Sequence, residues 1–363
     1  MSGVLPSQDI AALLEDGTIH GSPGGDRVQP ASLDLSVAEE AYAVPGSMLP
    51  LPGESISSLV RGYARRRLDL SQPTVLVRGE TYVVRLRERL RLTPDLSAYA
   101  NSKSSTGRID LQTRLLTDAT PRYDKVRAGY EGPLWLELIP KSFDIVLRAD
   151  DSLNQAIFFR ERAVCSRREL EAVHEHCPVL RTPCGEPIGP DAWLASEGLL
   201  MTINLELPTV GYVAKRSFRP IDLRRRDHDP SEYFDPVCSP KSGVLFLTRE
   251  AFYILSTYEY LSIPPEYAVE MLPYDTSAGE FRAHYAGFFD PGFGYGDRGQ
   301  LVGTPAVLEV RPYEDDLILR HRQPVCMMAY ERMVALPERV YGTLGSHYGT
   351  QRGPALSKYF AAP

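Results

Sequence analysis

Gly79-Glu80-Thr81-Tyr82-Val83-Val84 is a turn followed by β-branched and aromatic residues, and 170 positions later Arg249-Glu250-Ala251-Phe252-Tyr253-Ile254 repeats it. Ala31-Ser32-Leu33-Asp34-Leu35 aligns with Met201-Thr202-Ile203-Asn204-Leu205 at the same offset of 170. Ser105-Thr106-Gly107 aligns with Ser277-Ala278-Gly279, and Leu136-Glu137-Leu138 with Leu308-Glu309-Val310, both at 172. Matches in one order make the chain a duplication, and a long internal repeat decides architecture before any single element does. Short apolar runs such as Thr74-Val75-Leu76-Val77 and Ala306-Val307-Leu308-Glu309-Val310 are punctuated by turn residues, with 30 prolines and 28 glycines in the chain. This spacing predicts an all-β protein of sandwich or barrel type with few helices. Helices are expected at residues 8–15, capped by Ser7 and stopped by Gly17, and at 167–176.

At 363 residues there is room for two domains, each with its own core. The repeat divides the chain into 1–160 and 198–363. Between them, 161–197 is rich in turn signals such as Cys177-Pro178 and Thr182-Pro183-Cys184-Gly185, and reads as a surface linker. Apolar residues at 43% and charged residues at 24% exclude wholesale disorder. No apolar run reaches the roughly 18 residues of a membrane span, and the N-terminus lacks the regions of a signal peptide, so a cytoplasmic protein without membrane contact is expected.

A net charge of −7 argues against broad nucleic-acid binding, which draws on surplus Lys and Arg to displace phosphate counterions. A small anionic ligand stays open. The runs Arg65-Arg66-Arg67 and Arg224-Arg225-Arg226 read as solvated loop faces. Five cysteines without regular spacing read as reduced thiols. His174-Glu175-His176-Cys177 lacks a second ligand pair at zinc spacing, so no metal centre is expected there.

Four segments in order resemble the deoxycytidine triphosphate deaminase family of the dUTPase-like superfamily. Val28-Gln29-Pro30-Ala31-Ser32-Leu33-Asp34-Leu35 follows an opening helix, as in the family. Lys103-Ser104-Ser105-Thr106-Gly107-Arg108 is similar to the family's phosphate arm, with lysine in place of its first arginine. Ala286-Gly287-Phe288-Phe289-Asp290-Pro291-Gly292-Phe293-Gly294 resembles the hairpin that holds base and sugar. Tyr341-Gly342, continuing through His347-Tyr348-Gly349-Thr350-Gln351-Arg352-Gly353-Pro354, resembles the tail that closes over the triphosphate, with His347 where the family usually has lysine.

The resemblance implies two tandem dUTPase-like barrels of β-clip or distorted jelly-roll form. It also implies hydrolysis of dCTP to dUTP and ammonia, with Mg²⁺ carried by the triphosphate and no zinc. Chemistry supports these assignments. Ser104, Ser105 and Arg108 offer hydroxyls, backbone donors and a guanidinium fork to phosphates, and Lys103, Tyr341, His347, Tyr348 and Gln351 join them through the resemblance. Asp290 opens a turn that aims a carboxylate at a 3′-hydroxyl, while Phe293 under the sugar leaves no room for a 2′-hydroxyl. Ala286 belongs to the same hairpin. Attack of water on C4 of cytosine needs a group that takes and returns protons, and Glu137 or Glu309, each inside an apolar strand, supplies one. Zinc deaminases instead carry H-x-E with P-C-x-x-C, and that pair is absent.

The copies have lost opposite parts. Copy one keeps Ser104, Ser105 and Arg108 but reads Arg127-Ala128-Gly129-Tyr130 in its hairpin. Copy two keeps Asp290-Pro291-Gly292-Phe293 but places Glu280 where a phosphate-binding arginine belongs, and like charges repel. One composite site per chain is expected, with phosphates on copy one, nucleoside on copy two and Glu309 favoured over Glu137. Alternatives are a dUTPase, a bifunctional deaminase and dUTPase, or a non-catalytic nucleotide sensor. Assembly into homo-oligomers is left open.

Overall fold

The computed structural model describes residues 2–192, 198–273, 287–296, 298–342, 348–349 and 351–361. The chain is mainly β, with 40% strand and 12% helix. Two compact units form: Met1–Arg162 with Arg216–Pro230 and Ser357–Pro363, and Ala163–Lys215 with Ser231–Leu356.

In the first unit, Arg66–Asp69, Val37–Val44, Thr81–Arg91, Glu131–Pro140 and Leu111–Thr117 lie side by side in that order, with Ile19–His20 also on Thr81–Arg91. A second sheet orders Leu33–Leu35, Asn154–Phe159, Ser97–Ser102 and Lys125–Val126. Residues 84–91 alternate inward and outward, so Arg85, Arg87 and Arg89 flank the buried Leu86, Glu88 and Leu90. The opening helix is Ser7–Glu15; Pro6 holds the N-cap position and Ser7 is the first helical residue, so the expected cap is displaced by one. Gly17 follows at φ +76, a left-handed stop that glycine adopts without strain.

The second unit repeats this plan. Leu180–Arg181, Tyr253–Leu261, Thr209–Ala214 and Phe234–Cys238 form one sheet, with Thr304–Val310 also on Tyr253–Leu261. Leu199–Thr202, Pro324–Arg332, Tyr267–Pro273 and Phe288–Phe289 form the other.

Backbone hydrogen bonds set the repeat register, and they correct two of the alignments. The Tyr82 hydroxyl accepts from the amide of Val77 at 2.8 Å, and the Tyr253 hydroxyl accepts from the amide of Thr248 at 3.0 Å. Gly79 and Glu250 turn with φ +84 and +63 in the same place. Tyr82 therefore corresponds to Tyr253, not Phe252, an offset of 171. Leu33 and Leu35 pair with Ala156 and Asn154, while Leu199 and Met201 pair with Met328 and Cys326, so the first strand repeats at 166 rather than 170. Glu137 opposite Val83 and Glu309 opposite Ile254 keep the offset of 172.

The described part of the stretch 161–197, up to residue 192, is no surface linker. Its helix Arg167–His176 opens with a capping box between Ser166 and Glu169, and Leu170, Val179 and Leu180 join the core of the second unit. An apolar face within a turn-rich segment draws it inward. Conversely, residues 216–230 pack into the first unit, where Ile221–Asp222 runs parallel to Ile145–Leu147. Arg148 grips Asp222 through two bonds of 2.6 and 2.8 Å, which hold the aspartate pKa down at about 2. After that strand the run Arg224-Arg225-Arg226 is exposed, as expected of a solvated face, though two of its side chains also reach the protein. Arg224 reaches Asp151 at 3.2 Å and the Ala149 carbonyl at 2.7 Å, while the Arg226 guanidinium lies 4.9 Å from the centre of the Tyr359 ring. No helix among the described residues is long and apolar enough to cross a membrane.

Candidate active site

The arm leaves the strand Ser97–Ser102 at Lys103 and makes one helical turn, Ser104–Gly107. Thr106 and Gly107 amides donate to the Lys103 carbonyl at 2.8 and 3.0 Å, and the Arg108 amide donates to that of Ser104 at 3.1 Å. Asp110, at φ +54, then starts the strand Leu111–Thr117. Ser104 is exposed, whereas Ser105, Thr106 and Arg108 are buried. Lys103 is ion-paired with Asp34, which also accepts from Gln29 Nε2 at 3.3 Å, so two of the four sequence segments meet here. Beneath them, Ser32 donates to Gln155 at 3.2 Å and Gln155 to Asn101 at 2.9 Å. Ser102 and Asn154 both bond Thr113, at 2.7 and 3.0 Å. This buried polar chain fixes the strands that present the arm.

The C-terminal residues close on the same place. Ser357 Oγ donates to the Ser105 carbonyl at 2.7 Å, Tyr359 and Phe360 are buried, and the His228 amide donates to the Tyr359 carbonyl at 3.2 Å. Sequence reading placed this segment in the second domain, 198–363, whereas it packs with the first unit; the apolar end of its Ser-Lys-Tyr-Phe run was the only signal.

In the second unit, the turn Asp290-Pro291-Gly292-Phe293 closes with the Phe293 amide donating to the Asp290 carbonyl at 3.1 Å, and Gly292 sits at φ +93. The first unit has the same turn at Arg127-Ala128-Gly129-Tyr130, with a bond of 3.1 Å and Gly129 at φ +68. A glycine at positive φ in the third position suits a type II turn. Phe293 is only 4% exposed, with ring centroids 4.9 Å from Phe289 and 5.3 Å from Tyr341. The Tyr341 amide donates to the Pro291 carbonyl at 2.7 Å, fastening the start of the tail to the turn.

Further along, described residues of the tail bond to the second unit. Gln351 Nε2 donates to the Pro305 carbonyl at 2.9 Å, Thr304 Oγ1 to the Gly349 carbonyl at 3.1 Å, and the Tyr260 hydroxyl to the Arg352 carbonyl at 2.8 Å. Tyr348 is half-buried. Ala286, His347 and Glu280 lie outside the described residues.

Glu137 and Glu309 occupy equivalent strand positions and are 1% and 4% exposed. Glu137 accepts from Ser47 Oγ at 2.9 Å, the Met48 amide at 3.2 Å and the Tyr123 hydroxyl at 3.2 Å. Burial raises the Glu137 pKa against these bonds, and burial beside Glu137 pushes the Tyr123 hydroxyl up to about 12. Met48, Tyr123 and the helix Ile56–Tyr63 pack around Val83, Leu116 and Trp135, closing this position off. A cleft of about 800 Å³ in the first unit lies elsewhere, between Glu39, Arg67, Asp69 and Arg87, and includes none of the arm.

His174 Nδ1 accepts from the Val179 amide at 3.3 Å, and His176 Nδ1 sits 3.1 Å from the Ala172 carbonyl, so both histidines serve their helix. Among the described residues no group of three His, Cys, Asp or Glu side chains is arranged to hold a metal. All five cysteines are free thiols.

Two β units of one plan, carrying different versions of the same hairpin turn, define a duplicated β protein. Residues 1–162 match the family model of the 2′-deoxycytidine 5′-triphosphate deaminase N-terminal domain, and residues 166–360 that of its C-terminal domain. The chain belongs to the 2′-deoxycytidine 5′-triphosphate deaminase family. The crystal structure of 2′-deoxycytidine 5′-triphosphate deaminase from Agrobacterium tumefaciens is similar at 38% identity and a TM-score of 0.85, over 93% of this chain and 99% of that one. A dCTP deaminase from Halorubrum lacusprofundi is 29% identical over 139 residues, which span 37% of this chain and 66% of the relative.

Proposed function

We propose that this chain deaminates dCTP hydrolytically, the first copy's arm taking the phosphates and the second copy's hairpin the nucleoside. The observation that carries the reading is the matched pair of turns. Their backbone bonds are the same, yet one presents Asp290 and the other Arg127. The hydroxyl-rich, cationic arm belongs to the copy whose turn lacks the carboxylate.

In this reading Glu309 accepts a proton from water as its oxygen bonds to C4 of cytosine. Protons then pass to N3 and to the leaving amine, the C4–N bond breaks, and dUTP and ammonia result. Support for Glu309 over Glu137 comes from its strand, Thr304–Val310, belonging to the same copy as the Asp290 turn. Phe293, backed by Phe289 and Tyr341, gives the sugar a rigid floor without space for a 2′-hydroxyl. Mg²⁺ enters on the triphosphate's own oxygens. Free cysteines accord with a cytoplasmic setting.

The test is ammonia and pyrophosphate release from dCTP and CTP with Mg²⁺ present. Ammonia from dCTP, little from CTP, and no loss on zinc chelation are expected. Pyrophosphate alongside ammonia identifies a bifunctional enzyme; pyrophosphate from dUTP without ammonia from dCTP identifies a dUTPase. Binding without either product identifies a sensor.

A further inference from the structure

The C-terminal segment brings a cation to the arm from the far end of the chain. Ser357 is bonded to the Ser105 carbonyl, so the next residue, Lys358, stands beside the phosphate arm. Its ammonium is 6.0 Å from the centre of the Tyr359 ring, and the Arg226 guanidinium is 4.9 Å from the same ring. Tyr359 is buried and fixed by the His228 amide, so both cations are held against one rigid platform. Lys103 and Arg27 complete the group, and Asp34, the carboxylate acting on Lys358, is already ion-paired with Lys103.

We propose that Lys358, supported by Arg226, is a polyphosphate ligand of the first unit and completes the site begun by Lys103, Ser104, Ser105 and Arg108. Cations gathered around one carboxylate, in a chain of net charge −7, form a local field suited to several negative charges. Burial, and after it repulsion from Lys103 and Arg226, pulls the Lys358 pKa down to about 8, and an arriving polyphosphate relieves the repulsion. The inference rests on the reading of the arm as a phosphate site.

The experiment measures dissociation constants of dCTP and inorganic tripolyphosphate for the full chain and for Lys358→Gln, Lys358→Arg and Arg108→Ala, with thermal unfolding as a folding control. Lys358→Gln should weaken both ligands about 10-fold, as loss of a charge-assisted phosphate contact does, and Lys358→Arg should recover most of it. The effect should fall on KM, with kcat little changed. If Lys358→Gln binds like the parent while Arg108→Ala does not, the inference is overturned and the arm reading stands. If neither variant weakens binding, the arm reading itself is wrong. A readout on the unaltered protein is calorimetry of dCTP binding at pH 8.5 in buffers of different ionisation enthalpy. Among Lys358, Lys103, Arg27, Arg226, Asp34 and Tyr359, the lysine near 8 accounts for proton uptake there. No uptake overturns the inference.

Discussion

The hydroxyl of Ser357 donates to the carbonyl of Ser105 across 252 residues of sequence, at 2.7 Å. A chain end that reads as a loose closing tail is thereby part of the wall behind the phosphate arm. Removing residues 357–363 should lower the melting temperature, because Tyr359 and Phe360 leave the core of the first unit. Phe360→Ala alone should cost about 3 kcal/mol, as for other buried aromatic truncations. Cutting after Pro337 should be worse. Thermal unfolding checks both, and an unchanged melting temperature would count against the packing described.

Exchange of the two strand glutamates separates chemistry from structure. Glu309→Gln should leave dCTP binding intact and lower kcat by about 10²–10⁴, the usual worth of general acid–base catalysis. Glu137→Gln should lower stability by about 1–3 kcal/mol instead, since an amide NH₂ then faces donors from Ser47, Met48 and Tyr123. Single-turnover rates and urea midpoints would read the two effects; a reversed pattern assigns catalysis to the first copy.

Stability should fall as pH rises from about 4 to above 7. Burial raises Glu88 to about 7 and Asp124 to about 7, although the Ser36 amide opposes the first and the Leu115 amide, Arg114 and Lys125 oppose the second. Both groups bind a proton more tightly folded than unfolded, so their contribution is whole below the unfolded pKa and lost through the folded one. Asp124→Asn keeps an acceptor for the Leu115 amide and tolerates φ +60. Its urea midpoint should therefore change less between pH 5 and 8 than that of the parent.

Asp290→Asn should raise KM for dCTP about 10-fold through the lost charge-assisted bond to the sugar, whereas Arg127→Ala, in the matching turn of the other copy, should leave KM within about twofold. Steady-state kinetics at fixed Mg²⁺ would decide. Equal effects would mean that both turns bind nucleotide.

The duplication was legible because strand glutamates and turn residues recur, but its register was not. Tyr82 looks like Phe252 when side chains are compared along the sequence, and like Tyr253 once the hydroxyl bonds to Val77 and Thr248 are known. Similarity of apolar residues cannot tell neighbouring aromatics apart; backbone hydrogen bonds can. The helix 167–176 was legible from its pattern, while its place in a core was hidden by the turns around it. Glu88 could have been found, since in Arg85-Leu86-Arg87-Glu88-Arg89-Leu90 it takes the apolar phase of the alternation. Arg226 and Lys358 could not, because only the folded chain puts them on one ring.

The first unit recruits residues 216–230 and 357–363, and this orders its birth. Domains commonly fold in the sequence in which they emerge from the ribosome. Here the earlier half waits for the strand Ile221–Asp222 and for a clasp at residues 357–361, both made after it. The arm at 103–108 therefore meets its full set of neighbours only after residues made some 250 positions later have emerged, and a translation product that stops before Ser357 lacks a complete arm.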